Sequence, residues 1–388
     1  MRVPLSLSVA RRASLTFFMV PGLVYGLFVS RLPALKLALG IDQGQLGLML
    51  LTLGIGSVLG LMLAPVIMRR TRPGFFLLTV LSLQLIGLTV LSMCQELLAV
   101  FAVMFSVGLC IGLTDVAMNA QGIAIERLFY RPVMGALHAG YGIGGALGSA
   151  VGAVFASLGI GVTVTFLIPS IVMVFPVLWA VRHALPDVAT KGTDRTAASP
   201  GIPVALIVCG LLVFLAFASE GACGEWGGLL LAEEKGAGQG VAGAVYGVFT
   251  VCALASRLVS DLLRRSFAVS RIIFSGAVIG LMGMALVVTA PGVLLPLIGF
   301  AVAGLGIGPI CPLLYGVAGQ VSSLSAARAA SVVSVIGYTG LLFCPPLFGF
   351  LAHLTTYSTV YEVVSGLLIV LMLGNWVLFR LSHRALKK

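Results

Sequence analysis

A carboxylate and two amides lie deep inside one apolar stretch of this chain, in the segment GLTDVAMNAQG at 112–122. Asp115 and Asn119 are four residues apart, so they share one face of a helix. A buried carboxylate is able to take up and release a proton, or to accept hydrogen bonds from a polar ligand. The alternative is a structural hydrogen bond to a neighbouring helix. Small residues and a second acid continue the same face: Gly108, Gly112, Gly122 and Glu126.

Imidazole and hydroxyl groups occur inside other apolar stretches. His138 and Tyr141 share a helical face, and histidine is the side chain that titrates near neutral pH. Ser334 and Tyr338 share another face, which suits recognition of a hydroxyl-rich ligand, and Tyr25 is a further candidate. The plainer interpretations are an interfacial hydrogen bond for His138 and helix packing with backbone hydrogen bonds for Ser334.

A third group of candidates lies in ASEGACGEW at 218–226, where two acids stand among small residues. This composition predicts a broken or kinked helix that lines a cavity. Glu220 is the candidate site residue, because acids within membrane spans are costly and usually functional. A structural role for Glu220 stays open, and Trp226 is interpreted equally well as an aromatic anchor at the membrane interface.

Only 9% of the 388 residues are charged, whereas 60% are hydrophobic. Soluble domains contain about 25% charged residues. Apolar stretches of about 20 residues, enough to cross ~30 Å of hydrocarbon, recur along the chain. These features exclude a soluble protein and predict an all-α integral membrane protein. The twelve predicted spans are 13–35, 45–68, 74–93, 97–123, 134–157, 161–182, 202–223, 241–262, 271–290, 293–318, 329–351 and 358–381.

The basic side chains predict the orientation of these spans. With a cytoplasmic N-terminus, every Lys and Arg falls on the cytoplasmic side except Arg31, Lys36 and Lys235. The positive-inside rule therefore places both termini in the cytoplasm. Arg31 lies near the outer surface, where it either extends its charge to water or pairs with Asp42 or Glu225 as an outer gate.

The chain divides into an N-terminal six-helix half, 1–185, a cytoplasmic linker, 186–201, and a C-terminal six-helix half, 202–388. Gly108-Leu-Cys-Ile-Gly112 in span four recurs as Gly304-Leu-Gly-Ile-Gly308 in span ten, at an offset of 196 residues. The same offset aligns two further span pairs. Matches in register indicate two parallel repeats related by a pseudo-two-fold axis.

Several classes of function have no support in the sequence. GYGIGG at 140–145 matches a nucleotide-binding pattern by letter, but it lies within a predicted span rather than between a strand and a helix. The seven cysteines form no CxxC or Cys/His cluster. The net charge of +11 follows from the orientation of the spans and does not require nucleic acid. We therefore expect no enzyme activity, cofactor, metal or nucleic-acid partner.

Five segments spread over the chain form a recognisable set. They are RLP at 31–33, DVAMNAQG at 115–122, HAGYGIGG at 138–145, FASEGACGEW at 217–226, and RAASVVSVIGY at 328–338 followed by Pro345-Pro346. Through them the chain resembles, over nearly its whole length, the major facilitator superfamily (MFS) of transporters, and within it the YbjJ-like branch related to the fucose permeases. The resemblance implies the MFS fold, in which two six-helix halves enclose a central substrate site.

The resemblance also implies roles for single residues. In the superfamily, Asp–Arg contacts latch the cytoplasmic gate, and this role falls on Arg257 and Asp261; Ala64 stands where the first-half loop is expected to have Asp. The fucose permeases carry the span-four pattern E-T-A-x-N-P, whose acid is tied to proton coupling and sugar binding. Asp115 and Asn119 match it with Asp for Glu and without the proline, and span one lacks the group's second proton-linked acid.

We expect a secondary transporter that moves a small polar solute, such as a sugar, polyol or related metabolite, by proton-coupled symport and alternating access. It would be a multi-pass monomer of the cell (inner) membrane. The alternative is an MFS exporter of an amphipathic molecule, which would use Phe17, Phe18, Phe28, Phe214, Phe217 and Phe343. The expected substrate or proton site contains Asp115, Asn119, His138, Tyr141, Glu220, Tyr338, Ser334 and Tyr25, and the gating residues are Arg257, Asp261 and Arg31.

Overall fold

The computed structural model describes residues 6–130, 133–185, 202–318, 320–321 and 326–385. The predicted linker, 186–201, lies outside these ranges. The structure likewise does not describe the side chains of residues 127, 261, 326–328, 330–331 and 382–385. The helices group into two compact units, residues 1–191 with 238–247, and residues 192–237 with 248–388.

The described residues of the first unit form seven helices that lie wholly within it, six of them long enough to cross a membrane. Their bounds are α1 Leu7–Ser30, α2 Leu32–Leu39, α3 Gln43–Met68, α4 Pro73–Leu91, α5 Leu97–Phe129, α6 Met134–Ser157 and α7 Val162–Arg182. Helix α1 packs on α6, α3 packs on α5, and α4 contacts both α5 and α7.

The second unit continues this all-helical plan. Its helices are α8 Val204–Gly221, α9 Gly227–Leu229, α10 Gln239–Leu263, α11 Val269–Thr289, α12 Leu294–Ile307, α13 Ile310–Ala318, α14 Ala326–Leu354 and α15 Tyr357–Ala385. Helix α10 passes from the first unit to the second after residue 247. Helix α8 packs on α14 and α15, and α11 packs on α12 and α15.

The described residues contain twelve helical segments long and apolar enough to cross a membrane, which confirms the predicted number. Three predicted boundaries were clearly wrong, at both ends of the first span and at the end of the seventh; the first span starts at Leu7 rather than Ala13. The first span ends at Ser30 rather than Leu35, because the chain breaks at Arg31 and starts α2 with Pro33 in its first turn. Proline has no amide hydrogen to continue the preceding helix, but it is well tolerated in the first turn of a new one.

The seventh span is longer than predicted and extends to Glu234. It continues through two π-helical stretches, Ala222–Trp226 and Leu230–Glu234, which flank α9. The helix is therefore irregular in this segment, but it continues without the predicted break, and the lining of a cavity stays a prediction. Each π-turn inserts an extra residue into the helical repeat and rotates the side chains that follow it, and such turns occur often at functional sites.

The end of the seventh span fastens two other helices of its unit. The carboxylate of Glu234 accepts hydrogen bonds from the amides of Tyr357 and Ser358 at the start of α15. Lys235 Nζ donates to the carbonyl of Ala290 just beyond α11, at 3.2 Å. The negative carboxylate therefore lies at the N-terminus of α15 and the positive ammonium at the C-terminus of α11, where the helix dipole favours each charge.

Glycines let α5 approach α3 closely. A Cβ at Gly108 would collide with the backbone carbonyl of Leu53, and a Cβ at Gly112 would collide with that of Ser57. Small residues are the usual means of close helix approach in membranes. The glycines of this pentapeptide therefore contact α3, rather than continuing a polar stripe with Asp115.

The second unit repeats this contact in the same register. A Cβ at Gly304 would collide with the carbonyl of Phe249, and one at Gly308 would collide with the backbone of Ala253. Both members of each contact are displaced by 196 residues from their counterparts in the first unit. The sequence repeat thus corresponds to a repeated helix-packing contact, and not only to a similar composition.

Candidate functional site

Asp115 and Asn119 contact one another on α5, as their spacing predicts. Asn119 Nδ2 donates to the backbone carbonyl of Asp115 at 2.8 Å and to its Oδ1 at 3.3 Å. Both side chains are half-buried. The carboxylate is therefore held by a neutral amide of its own helix, and it retains an accessible surface.

The predicted polar stripe does not continue unbroken along α5. Gly122 packs against Met134 and Leu137 of α6. Glu126 Oε1 accepts hydrogen bonds from the amides of Val133, at 2.7 Å, and Met134, at 3.0 Å. Glu126 therefore caps the N-terminus of α6, where its negative charge is also favoured by the helix dipole.

Aromatic side chains cluster around α1 and α6 in the first unit. His138 is exposed and packs its ring edge-on to Phe18, with centroids 5.1 Å apart. Tyr25 and Tyr246 meet in the same edge-on manner at 5.4 Å. Tyr246 was missed in the sequence, since a single tyrosine in an apolar span carries no periodic signal. Tyr141 is half-buried on α6, one helical turn from His138.

Ser149 makes an unusual contact with the first part of α10. Its hydroxyl donates to the carbonyl of Gly243 at 2.8 Å and accepts from the amide of Gly247 at 2.9 Å. These two backbone groups pair with each other in a regular α-helix. The fully buried hydroxyl is thus inserted beside the helical ladder, at the place where α10 leaves the first unit. Sequence spacing alone gave no indication of this bridge.

Glu220 and Arg257 form an ion pair in the second unit, with Nη2 and Oε1 3.2 Å apart. Arg257 Nε also donates to the carbonyl of Gly308 at 2.8 Å. In a regular helix this carbonyl would accept from the amide of residue 312, but Pro312 has none. The guanidinium therefore satisfies a carbonyl that the break between α12 and α13 leaves free.

Two hydroxyl groups meet further along the tenth span. Tyr315 Oη and Ser334 Oγ are 3.0 Å apart, and they join α13 to α14. Tyr338 is 45% exposed, and its ring lies 5.6 Å from that of Phe217 on α8. The second unit therefore presents an ion pair, a hydroxyl pair and an exposed tyrosine on four of its spans.

The predicted gating residues have different surroundings. Arg31 is buried, and its Nη2 donates to the carbonyl of Ile160 at 2.9 Å. Burial lowers the pKa of Arg31, although a guanidinium keeps its charge at neutral pH. Asp42, one suggested partner, caps α3 by accepting from the amide of Gln45. The side chain of Asp261 lies outside the described residues, so its latch with Arg257 stays a prediction.

No group of three or more His, Cys, Asp or Glu side chains within the described part of the chain is arranged to hold a metal ion. The exporter alternative loses part of its aromatic surface, because Phe17, Phe18 and Phe28 are packed inside the first unit with at most 2% exposure. The accessible polar groups are instead distributed over α5 and α6 in one unit and over the seventh, eighth, tenth and eleventh spans in the other.

Comparison with known proteins gives relatives across most of the chain. No family model matches it. It is 28% identical over 359 residues to an uncharacterised MFS-type transporter of Yersinia pestis, covering 91% of both chains. It is 27% identical over 351 residues to the membrane protein MosC of Rhizobium meliloti, covering 87% of this chain and 82% of that protein.

Solved structures give the fold. A variant of the nucleoside transporter NupG matches with a TM-score of 0.78 over 96% of this chain and 99% of its own, at 13% sequence identity. A bacterial homologue of the human lysosomal transporter Spinster matches with a TM-score of 0.73 over the whole of this chain and 98% of its own, at 14% identity. At such identities the likeness is one of fold, and it confirms the predicted architecture.

Proposed function

We infer that this chain is a transporter of the MFS type, and we propose that it moves a small polar solute in exchange with, or together with, protons. Polar and acidic groups inside the spans carry this proposal. A charged residue at the membrane centre costs about 2.5–3.5 kcal/mol on insertion scales, so a chain retains one only where it has a use. Asp115 with Asn119, and Glu220 with Arg257, are two such retained groups.

The accessible carboxylate of Asp115 supports its assignment as a proton-binding group. Its partner, Asn119, is neutral and able to remain bonded whether the acid is charged or protonated. Uptake of a proton therefore requires no partner to be displaced. His138, Tyr141 and Tyr25 of the first unit, and Ser334 and Tyr338 of the second, are proposed to bind the solute's polar groups, while Arg257, Asp261 and Arg31 are proposed to act in gating.

Export of an amphipathic molecule is the second candidate. Exposed Tyr338 beside Phe217 favours it, because aromatic faces bind apolar parts of a ligand. The same tyrosine hydroxyl serves a polar solute equally well. Stronger thermal stabilisation of the purified protein by apolar compounds than by polyols of similar size would favour export.

A thermal-shift screen of the purified protein tests the proposal. Sugars, polyols, organic acids and amphipathic compounds are added singly to wild type and to Asp115→Asn. We expect at least one polar solute to raise the melting temperature of wild type and to stabilise Asp115→Asn less. Stabilisation of both proteins by the same amount would remove Asp115 from the solute or proton site.

A further inference from the structure

Arg257 has hydrogen-bonding capacity beyond its present contacts. A guanidinium carries five N–H donors. Within the described residues, Arg257 uses Nε for the Gly308 carbonyl and one Nη2 donor for Glu220. Its side chain is 39% exposed, and that of Glu220 is 19% exposed. The guanidinium therefore has N–H donors and exposed surface with which it could bind a second anion.

The Gly308 contact holds the guanidinium in place independently of Glu220. Because Pro312 offers no amide, the Gly308 carbonyl depends on Arg257 for its hydrogen bond. Loss of charge on Glu220 would therefore leave Arg257 where it is, with its positive charge no longer balanced. An unbalanced charge inside a span is unfavourable.

Asp261, one helical turn from Arg257 on α10, is the acid predicted to pair with it in the closed gate, and its side chain lies outside the described residues. Cys223 and Cys311 are the further titratable groups that interact electrostatically with Glu220. Both are buried thiols, which carry no charge that could balance Arg257. When the predicted latch with Asp261 is open, the negative charge that compensates Arg257 comes from a ligand.

We propose that Arg257 binds a carboxylate of the transported solute when Glu220 is protonated. The inference rests on the proposed function and narrows the solute to a polar organic anion. One proton adds to the Glu220 carboxylate while one solute carboxylate pairs with Arg257, so the total charge at the pair is unchanged. Arg257 is suited to this exchange because its planar fork binds a carboxylate through two parallel hydrogen bonds.

Formate is the probe that tests this exchange, because it supplies a carboxylate and little else. The purified variant Glu220→Ala removes the internal carboxylate and leaves space beside Arg257. We expect its melting temperature to be below that of wild type and to rise with sodium formate, but not with neutral formamide or with sodium chloride at equal ionic strength. In Glu220→Ala/Arg257→Gln we expect formate to bind about tenfold more weakly.

Equal responses of the single and double variants to formate would overturn the proposal, as would the absence of any formate effect. If Glu220→Ala does not fold, the isosteric Glu220→Gln replaces it, and formate must then stabilise this variant more than wild type at the same pH. Failure here is distinct from failure of transport: wild type that carries only neutral solutes refutes the anion site and leaves the transporter proposal intact.

Discussion

Asp115 and Glu220 are both acids within membrane spans, but their partners differ in charge. Asp115 is bonded to a neutral amide, whereas Glu220 is bonded to a guanidinium. Protonation of Asp115 leaves its site neutral, because Asn119 is uncharged. Protonation of Glu220 leaves the positive charge of Arg257 without its negative partner. We therefore expect Asp115 to exchange protons with or without solute, and Glu220 to do so only when an anion replaces it.

The first residue-scale prediction concerns Asp115→Asn, which keeps the shape of the side chain but removes its proton site. Solute-driven proton movement in vesicles should fall at least about tenfold. The matched control is Glu126→Gln on the same helix, where the acid caps α6. This control should lose thermal stability but keep its proton movement. Equal loss of proton movement in both variants would contradict a specific role for Asp115.

Sequence reasoning at the residue scale succeeded where contacts are local. Asp115 and Asn119 are one helical turn apart, so their contact follows from helix geometry. Glu220 and Arg257 are 37 residues apart, and their pairing depends on how two spans pack. The available signal was that two opposite charges stand in adjacent apolar spans, since charges in spans tend to pair. Pro312 additionally marked the carbonyl of Gly308 as one that needs an outside donor.

At the scale of elements, small residues explain how helices approach one another. The GxxxG spacing in α6 predicts close packing, and a Cβ at Gly144 or Gly148 would collide with the carbonyl of Met19 or Leu23 on α1. The bounds of the seventh span were not predictable in the same way. Acids and glycines between 220 and 228 resemble a helix end, whereas buried π-turns and the caps made by Glu234 and Lys235 carry the helix further.

Ser149→Ala supplies the prediction at this scale. It removes the hydroxyl that joins the carbonyl of Gly243 to the amide of Gly247, leaving buried backbone groups with weakened hydrogen bonding. We expect a loss of about 1–3 kcal/mol, seen as a lower melting temperature. Ser157→Ala on the same helix is the control, because within the described part of the chain that hydroxyl bonds to Val154 of its own turn. If the two variants melt alike, the bridge to α10 does not stabilise the protein.

At the scale of the whole molecule, composition and charge predicted more than any single motif. The density of apolar stretches predicted the number of spans, and twelve long helical segments in the described residues confirm it. Helix α10 departs from the simple division into halves, because residues 238–247 pack with the first unit. The predicted boundary between the halves, 186–201, was inferred from polarity along the chain. The packing of residues 238–247 is a tertiary contact, and polarity does not predict it.

Orientation is the prediction that belongs to the whole molecule. With both termini in the cytoplasm, the turn after Glu234 faces outward and the turn after Leu263 faces inward. Alkaline phosphatase fused after Ala237 should therefore be active, and the same enzyme fused after Arg265 should be inactive. These fusion points flank a single helix, α10, so one helix accounts for the difference. The reverse pattern of activities would invert the assigned topology.

Proton-coupled movement of a solute is the central claim, and transport into liposomes tests it most directly. Purified protein is reconstituted, and a radiolabelled solute that stabilises wild type in the thermal-shift screen is supplied with an imposed pH gradient. We predict accumulation above the external concentration in wild type, loss of accumulation when a protonophore collapses the gradient, and little accumulation in Asp115→Asn. Accumulation that is the same with and without the gradient, or a stabilising solute that never crosses the membrane, would contradict the claim.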